Sequence, residues 1–284
     1  MRIASWNVNS VRIRLPQLLA WLESEGPDVV CLQETKVSDG LFPLEALAER
    51  GYSAVIDGQK GYNGVAIVSR LPIEDARAGF AALLPDDAEA RELGEQKRVI
   101  SARIEGLRVL NLYVPNGSAL SSEKYAYKLR WLACLARYRA ALEREGEPLL
   151  VAGDFNIAPE ARDIHDPQRL EGGIMASAAE RQALAAALGE ELGDAFRLFE
   201  PEAGHWSWWD YRSGGWERDR GWRIDHIYLD ATLQACASGC VIERQLRGNE
   251  QPSDHAPVVV QLAWPDEEEG ESSDDDALLM WCVD

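Results

Sequence analysis

The chain has 284 residues and a mass of 31.5 kDa, and 46% of its residues are hydrophobic. These values allow one large layered domain and exclude a chain that is disordered throughout. There is no membrane-span-length apolar stretch and no signal-peptide segment at the start, so we expect a cytoplasmic protein without membrane association. The formal net charge of −19 argues against non-specific nucleic-acid binding unless basic residues gather on one face.

Short apolar runs rich in Val and Ile alternate with turn residues, which predicts β-strands. In chain order, the predicted strands are Arg2–Val8, Asp28–Gln33, Tyr52–Ile56, Gly64–Ser69, Arg98–Ile104, Arg108–Val114, Pro148–Ala152, Ile224–Leu229, Val241–Arg244 and Ala256–Leu262. Few long helices separate these runs, so hairpins should be common. We therefore predict an α/β fold in which two mixed or largely antiparallel sheets pack together, with helices outside.

Three segments have the apolar spacing of amphipathic helices. The first has Pro16 in its first turn and ends at Gly26. The second begins after Ser121 or Ser122 and ends at Gly146. The third begins at the capping box Ser177-x-x-Glu180 and ends at Gly189. The sequence thus predicts at least three helices to cover the sheets.

The last 20 residues differ from the rest, which divides the chain into a body, residues 1–264, and a tail, residues 265–284. The tail holds nine acids and no Lys or Arg, so the body has a net charge of −10. Low complexity and high charge predict disorder in the tail. Its apolar tip, residues 277–284, either docks a protein partner, packs on the body or has no role.

Polar residues follow several predicted strands. They are Asn7 and Asn9, Gln33-Glu34-Thr35, Tyr113 and Asn116, Gly153-Asp154-Phe155-Asn156, Asp225-His226, and Ser253-Asp254-His255. Such groups can converge at one end of a sheet, and their oxygens suit a hard divalent cation such as Mg²⁺. A metal there would offset charge that develops on a phosphate. A His beside an Asp suits acid–base chemistry, so we expect Asp225 to orient His255.

The order of these fragments resembles the exonuclease III family of DNA repair nucleases, within the endonuclease/exonuclease/phosphatase superfamily. The fragments are Trp6-Asn7-Val8-Asn9, Leu32-Gln33-Glu34-Thr35-Lys36, Tyr113-Val114-Pro115-Asn116-Gly117, Gly153-Asp154-Phe155-Asn156, Trp222-Arg223-Ile224-Asp225 and Ser253-Asp254-His255. The resemblance covers roughly residues 1–264, which makes this body a catalytic domain.

The resemblance implies a four-layered α/β sandwich, with two mixed sheets face to face and helices outside. It also implies Mg²⁺-dependent hydrolysis of phosphodiesters in duplex DNA, with Mn²⁺ as a substitute. The implied activities are 5′ incision at abasic sites, 3′-to-5′ exonuclease action and removal of 3′-phosphate or 3′-phosphoglycolate blocks. The expected partner is duplex DNA with abasic sites or 3′ ends, and we expect a monomer.

Site roles follow from the same resemblance. Glu34 resembles the metal ligand, with Asn7 beside it. Asp154 resembles the residue that activates the attacking water or handles the proton of the leaving group, and Asn156 the residue that orients that water or the phosphate. Both are also candidate metal ligands.

Further roles implied by the resemblance concern the phosphate. Tyr113 and Asn116 would contact phosphate oxygens, and His255, oriented by Asp225, would contact the scissile phosphate. Asp254 would support the metal or a second metal position, and His255 is another candidate ligand. Whether Asp154 or His255 is the general base stays open.

Residues 206–222 contain five of the ten tryptophans, interleaved with Tyr and Arg. Aromatic rings can stack on bases or on a sugar without a base, while Arg holds phosphates. We predict DNA contacts by Trp208, by Trp222 as a wedge and by Arg223; the alternative for Trp208 is packing on the core. Other predicted DNA contacts are Lys36, Asn63 and Asn116, within a basic face that also includes Lys60, Arg70, Arg98, Lys124 and Lys128.

His165 closely follows the Asp154–Asn156 loop. We hypothesise that its ring blocks an abasic nucleotide from the pocket, so that abasic incision is weak relative to the 3′ activities. A surface turn is the alternative for His165. Two other functions stay open for the chain, a phosphatase of a small phosphorylated molecule or lipid, and a non-enzymatic DNA-binding scaffold.

Overall fold

A computed structural model describes residues 1–264, and the predicted acidic tail lies outside the described residues. The strands are β1 (Arg2–Asn7), β2 (Val29–Gln33), β3 (Ser53–Asp57), β4 (Val65–Ser69), β5 (Glu74–Ala78), β6 (Val99–Ile104), β7 (Leu107–Tyr113), β8 (Leu149–Asp154), β9 (Gly193–Asp194), β10 (Asp225–Leu229), β11 (Ala237–Ile242) and β12 (Val258–Leu262).

The α-helices of the same range are α1 (Val11–Glu25), α2 (Leu44–Ala48), α3 (Ala88–Gly94), α4 (Glu123–Glu143), α5 (Pro167–Leu170), α6 (Ala178–Leu188), α7 (Ala195–Phe199) and α8 (Ala231–Cys236). Short 3₁₀ turns lie at Asp39–Leu41, Phe80–Ala82, Ala161–Asp163, Tyr211–Ser213 and Arg244–Gly248. Among residues 1–264, no helix combines the length and apolarity that crossing a membrane requires.

The strands form two six-stranded sheets, in the orders β11-β12-β1-β2-β4-β3 and β5-β6-β7-β8-β10-β9. In each sheet one central pair is parallel, β1 with β2 and β7 with β8, and the other pairs are antiparallel. Parallel neighbours need a crossover, which α1 provides in the first sheet and α4 in the second. The prediction of two mixed sheets is confirmed.

Three apolar clusters separate the layers. Between the sheets, Ile3 and Val29 of the first sheet pack with Val109 and Leu150 of the second. On the outer face of the first sheet, Ala4, Trp6 and Val30 pack with Leu18, Trp21 and Leu22 of α1. On the outer face of the second sheet, Leu110 and Val151 pack with Trp131, Leu135, Leu184 and Leu188 of α4 and α6. The order helix, sheet, sheet, helix is the predicted four-layered sandwich.

One end of the inter-sheet layer is polar. Gln33 at the end of β2 donates its amide to the Ser5 hydroxyl at 3.1 Å and to the Asn111 amide oxygen at 2.7 Å. Asn111 of the second sheet donates in turn to the carbonyl oxygens of Leu32 and Ala66 at 2.9 and 2.8 Å. These buried bonds fix the relative position of the two sheets at the edge where β1, β2, β7 and β8 all end.

Most predicted helix signals are confirmed. The Ser122 hydroxyl accepts from the Tyr125 N–H, and Ser177 and Glu180 form the predicted capping box. The placement of Pro16 in a first turn is wrong, because α1 begins at Val11 and Pro16 lies inside it. The N–H groups of Ser10 and Val11 are occupied by the loop after β2, which sets the earlier start.

Three strands depart from the sequence prediction. The predicted strand Val241–Arg244 is wrong in its bounds, since β11 runs from Ala237 to Ile242. Its first residues are small and have weak strand propensity, but they pair with β12. The sequence analysis missed β5, a charged edge strand, and the two-residue β9, since neither has an apolar pattern.

A buried ionic network underlies the second sheet near the end of β8. The guanidinium of Arg223 lies 2.7 Å from Asp163 and 2.7 Å from Asp194, and it donates to Nδ1 of His226 at 3.0 Å. Since Arg can only donate, His226 carries its proton on Nε2 and donates it to the Ile157 carbonyl at 2.9 Å. Burial, together with Arg223, lowers the pKa of His226 to about 4.

This network predicts a loss of stability in mild acid. Below its ordinary pKa of 6.5, His226 takes up a proton in the unfolded chain but stays neutral in the folded protein down to about pH 4. The free energy of unfolding therefore falls as the pH falls through this window, by roughly 3 kcal/mol in total. Urea unfolding at several pH values between 7 and 4 gives the free energy of unfolding at each pH. Its dependence on pH should be weaker for His226→Gln than for the wild type. An identical slope in both proteins would contradict the assignment.

Candidate active site

The topology brings six chemically active positions to one edge of the sandwich. Asn7, Tyr113 and Asp154 are the last residues of β1, β7 and β8, and Glu34 directly follows β2. β10 is antiparallel to β8 and starts at this edge, with Asp225 paired to Asp154. β12 is antiparallel to β1, which brings the preceding His255 to the same edge. The expected convergence at one end of the sheets is confirmed.

A carboxylate pair lies at the centre of this site. The two N–H bonds of the Asn7 amide reach Glu34 Oε1 and Asp154 Oδ2, each at 2.9 Å. The His255 imidazole Nε2 lies 3.8 Å from Asp154 Oδ2. One ligand atom from each of Glu34, Asp154 and His255 can be chosen so that all three lie within 4.8 Å of one another.

His255 is held from its other nitrogen. Nδ1 lies 2.8 and 3.1 Å from the two oxygens of Asp225, which confirms the predicted Asp225–His255 pair. Asp225 also accepts from the Ser207 hydroxyl at 2.6 Å, and that hydroxyl accepts the backbone N–H groups of Ile224 and Asp225. Sequence reasoning missed Ser207, whose one signal is a small polar residue within the tryptophan-rich run.

Burial and charge set opposite protonation preferences in this cluster. Burial raises the pKa of the Asp154 carboxyl to about 7, with Asp225 and Glu34 adding to the rise against the influence of His255. Burial alone would lower the pKa of His255, but Asp225 and Asp154 outweigh it and raise the value to about 10. His255 is therefore an imidazolium at neutral pH, and it faces a concentration of negative charge.

Glu34 has its own counter-charge. Burial would raise its pKa, but the Lys36 ammonium at 2.8 Å and the Asn7 amide hold the pKa below its usual value. Lys36 also donates to the side chain of Asn9, which in turn donates to Asp254 at 2.8 Å. The predicted DNA contact Lys36 thus belongs to the site itself.

Two amide side chains border the carboxylate pair. Asn156 donates its backbone N–H to Asp154 Oδ1 at 2.9 Å and its side-chain amide to the Val114 carbonyl at 2.9 Å. Asn116 donates to the Asn156 amide oxygen at 2.9 Å. Each amide keeps hydrogen-bonding capacity beyond these contacts, which suits contact with phosphate oxygens or a water.

Tyr113 and Asp254 occupy the flanks. Burial and the nearby carboxylates Glu34 and Asp154 raise the pKa of Tyr113 well above its ordinary value, so the phenol is a neutral donor. The guanidinium of Arg98 lies 4.5 Å from the Tyr113 ring centroid. Asp254 accepts from the Trp208 indole at 3.0 Å, and it does not belong to the Glu34–Asp154–His255 group.

The backbone is unusually strained around the site. Glu34, Lys36, Asn63, Asn9 and Asn156 all have positive φ, between 44° and 55°. Non-glycine residues adopt this left-handed region at a cost, and they are enriched at functional sites. Local hydrogen bonds, such as that from the Asn9 N–H to the Asn7 amide oxygen at 3.0 Å, hold this conformation.

A small apolar cluster, named here the apolar wall, lies beside the amides and His255. Its members are Ala158, Ile164, Met175, Ala176, Trp222 and Ile224, with Leu170, Ile174 and Trp208 packed against them. The Met175 sulfur lies 3.5 Å from the Asn116 amide nitrogen. The backbone of Trp208 pairs in antiparallel fashion with that of Trp222 and with that of His255. The wall therefore adjoins the polar centre.

Several predicted DNA contacts are wrong in this structure. Arg223 is 1% exposed and its guanidinium is engaged by Asp163, Asp194 and His226, so it cannot hold a DNA phosphate. Trp222 is 7% exposed within the apolar wall and does not project as a wedge.

Two members of the predicted basic face also lie elsewhere. Lys128 is fully buried, and Arg70 lies beyond the far end of β4, where it donates to Tyr52 and to the Gly26 carbonyl. Asn63, a predicted DNA contact, is 8% exposed and is one of the residues with positive φ around the site. His165 is half-buried, and both its backbone N–H and its Nδ1 contact the Gly221 carbonyl, at 3.1 and 3.2 Å.

The donor set fits a hard divalent cation. The carboxylates of Glu34 and Asp154 offer oxygen atoms within 4.8 Å of each other, and the Asn7 amide holds both of them in place by donating to each. Hard cations such as Mg²⁺ and Mn²⁺ prefer oxygen ligands of this kind.

Known proteins are similar to this chain in sequence and in fold. The profile of the Endonuclease/Exonuclease/phosphatase family matches residues 4–255. "Exodeoxyribonuclease III" of Haemophilus influenzae is 38% identical over 270 residues, which covers 91% of this chain and 98% of that protein.

Solved structures agree with the sequence matches. The 3′-5′ exonuclease NExo of Neisseria meningitidis has a TM-score of 0.86 and 42% identity, over 93% of this chain and all of the other. The same protein is described as a 3′ phosphatase in a complex with product DNA hairpin. An AP endonuclease from Archaeoglobus fulgidus has a TM-score of 0.86 and 36% identity, over 92% and 99% of the two chains. The chain therefore belongs to the endonuclease/exonuclease/phosphatase family and, within it, to the exodeoxyribonuclease III group.

Proposed function

We propose that this protein is a metal-dependent DNA repair nuclease that hydrolyses phosphodiesters in duplex DNA at 3′ ends and at abasic sites. One observation carries the proposal: Glu34, Asp154 and His255 surround a point that is bordered by Asn116, Asn156 and the apolar wall. The activities named for the Haemophilus, Neisseria and Archaeoglobus relatives support the same substrate class.

Mg²⁺ is the proposed cofactor, with Mn²⁺ as a substitute. Glu34 and Asp154 would hold the ion, and the Asn7 amide, which donates to both carboxylates, would orient them. When bound, the ion would neutralise charge that develops on the phosphate and the leaving oxygen. Asp254 accepts hydrogen bonds from the side chains of Asn9 and Trp208, so we propose that it supports the metal site without binding the ion directly.

The proposed role of each residue in the hydrolysis follows from its charge. Asp154 is proposed to take the proton of the attacking water, because His255 is already protonated beside Asp225. His255 and the neutral phenol of Tyr113 would donate to oxygens of the scissile phosphate. Asn116 and Asn156 would orient the phosphate and the water through their free amide capacity.

The apolar wall gives the proposed substrate preference. An abasic deoxyribose, or the terminal sugar of a frayed 3′ end, exposes apolar carbon that Met175 and Trp208 could cover. The flanking phosphates would be contacted by Lys36, by Asn63 and by a groove beside Tyr113 that Arg98 and Lys124 line. The cytoplasmic location and the monomer stay predictions, as does a partner for the tail.

Asp154→Asn should lower kcat by about 10²- to 10⁴-fold, because it removes the proposed base. The assay would use duplexes with an internal abasic analogue or a recessed 3′-phosphate, with Mg²⁺ and with EDTA. Asp86→Asn, a change of an exposed carboxylate, should retain wild-type kcat. Full activity of Asp154→Asn would overturn the base assignment. No Mg²⁺-dependent cleavage of either duplex by the wild type would instead favour a phosphatase of small molecules or lipids.

Glu34→Gln should weaken Mn²⁺ and Mg²⁺ binding by at least about tenfold, because it removes one charged ligand from the site. Isothermal titration calorimetry of the protein without DNA measures this directly. Glu45→Gln, an exposed change on α2, is the matched control and should bind the ions as the wild type does. Equal affinities for all three proteins would place the metal elsewhere.

We also propose that His165 restricts the abasic pocket. In support, its neighbour Ile164 belongs to the apolar wall, and His165 itself contacts the carbonyl of Gly221, the residue before Trp222 of the wall. A bulky ring there would hinder an extruded abasic nucleotide more than a frayed 3′ end.

His165→Gly should therefore raise the ratio of abasic incision to 3′-phosphate removal several-fold. The ratio is measured on the two duplexes described above, so that changes in folded fraction cancel. His205→Gly removes an imidazole that packs on Phe196, outside the wall, and should leave the ratio unchanged. An unchanged ratio for His165→Gly would rule out the restriction.

A further inference from the structure

A buried ion pair lies between the two helices that cover the second sheet. Lys128 of α4 and Glu180 of α6 are both fully buried, and their Nζ and Oε1 atoms lie 2.6 Å apart. Removing two charges from water is costly, and a buried pair is often no more stabilising than apolar residues of similar volume. Stability alone therefore does not account for this pair, and its role is sought in its contacts with neighbouring groups.

Lys128 connects the pair to the two amide residues of the site. Its Nζ donates to the backbone carbonyl of Asn156 at 2.8 Å and to that of Asn116 at 3.2 Å. Together with the bond to Glu180, these contacts use all three N–H bonds of the ammonium. One charged group inside the protein therefore joins the two loops that follow β7 and β8.

Glu180 connects the same pair to the apolar wall. Its Oε1 accepts the backbone N–H of Met175 at 3.1 Å, and its Oε2 accepts the backbone N–H and the hydroxyl of Ser177 at 3.1 and 2.7 Å. Met175 has a φ of +67° and places its sulfur 3.5 Å from the Asn116 amide nitrogen.

We infer that Lys128 and Glu180 form a positioning pair, which sets the distance between the Asn116 and Asn156 amides and the apolar wall. The pair touches no reacting atom and acts through these neighbours. Asn156 has a φ of +50°, and its side chain is bound to both Val114 and Asn116. Its carbonyl bond to Lys128 is the remaining link that fixes this conformation to the helices. The inference rests on the proposed function, since it assumes that these amides bind the phosphate.

The experiment compares Lys128→Met with the wild type on the 3′-phosphate duplex in saturating Mg²⁺. Displacement of the amides should lower kcat by about 10- to 100-fold while KM changes less than threefold. Lys128→Arg, which can still donate to all three acceptors, should recover most of the loss. The neutral double variant Lys128→Met/Glu180→Gln avoids an unpaired buried charge and should show the same kcat loss if Lys128→Met itself does not fold.

A double-mutant comparison separates positioning from general stability. In an Asn116→Ala/Asn156→Ala background, Lys128→Met should lower kcat less than twofold, because the groups it positions are gone. The control Leu142→Ala removes a buried residue of α4 that lies 14 residues from Lys128, and it should lower the melting temperature without changing kcat.

The outcomes are distinguishable. A kcat for Lys128→Met and for the neutral double variant within twofold of wild type would overturn the positioning role, while the proposed function would stand. An equal kcat loss in the wild-type and the amide-free backgrounds would also overturn it. If Asn116→Ala/Asn156→Ala itself retained wild-type kcat, the proposed roles of the amides would fail, and the inference with them.

Discussion

Negative charge buried at the edge between two sheets is the constraint on which the rest of the structure depends. Glu34, Asp154 and Asp225 lie close together where water is scarce. Like charges 4 Å apart repel by about 4 kcal/mol even at an effective dielectric constant of 20. The protein offsets this repulsion with the His255 imidazolium, the Lys36 ammonium and the Asn7 amide. The remaining excess charge suits a divalent cation, and through it a phosphate.

The fold keeps these charges together because their positions are attached to the rigid ends of strands. The two parallel pairs end at the same edge, and the Gln33–Asn111 bonds tie the two sheets together directly behind the site. The strained residue Glu34 follows β2 immediately and Asn156 lies two residues after β8, so little of their conformation is left to a free loop. A second buried pair, Lys128–Glu180, extends this rigidity to the flanking loops. Preorganisation of this kind keeps donors in place while charge develops on a phosphate.

Sequence reasoning succeeded where a residue's role follows from its place at the end of a strand. The strand ends that carry Asn7, Glu34, Tyr113 and Asp154 were readable from apolar runs followed by polar residues. The prediction for Arg223 failed, because an arginine beside aromatic residues reads the same whether it faces solvent or an internal acid. Its acids, Asp163 and Asp194, are 60 and 29 residues away in the chain, and no local pattern connects them. Lys128 was misplaced for the same reason.

The sequence by itself determined the alternation of strands and helices, the residue types of the site and the family resemblance that orders them. These depend on local periodicity and on short motifs, which need no knowledge of distant contacts. Only the tertiary structure decided which charges are paired, which tryptophans are buried, and which side chains share the edge of the sandwich. Those outcomes depend on contacts between distant parts of the chain: 101 residues separate Asp154 from His255, which lie 3.8 Å apart, and 245 residues separate the bonded pair Asn9 and Asp254. The free energy of such a charge is set by its three-dimensional neighbours and its burial, and neither is a local property of the chain.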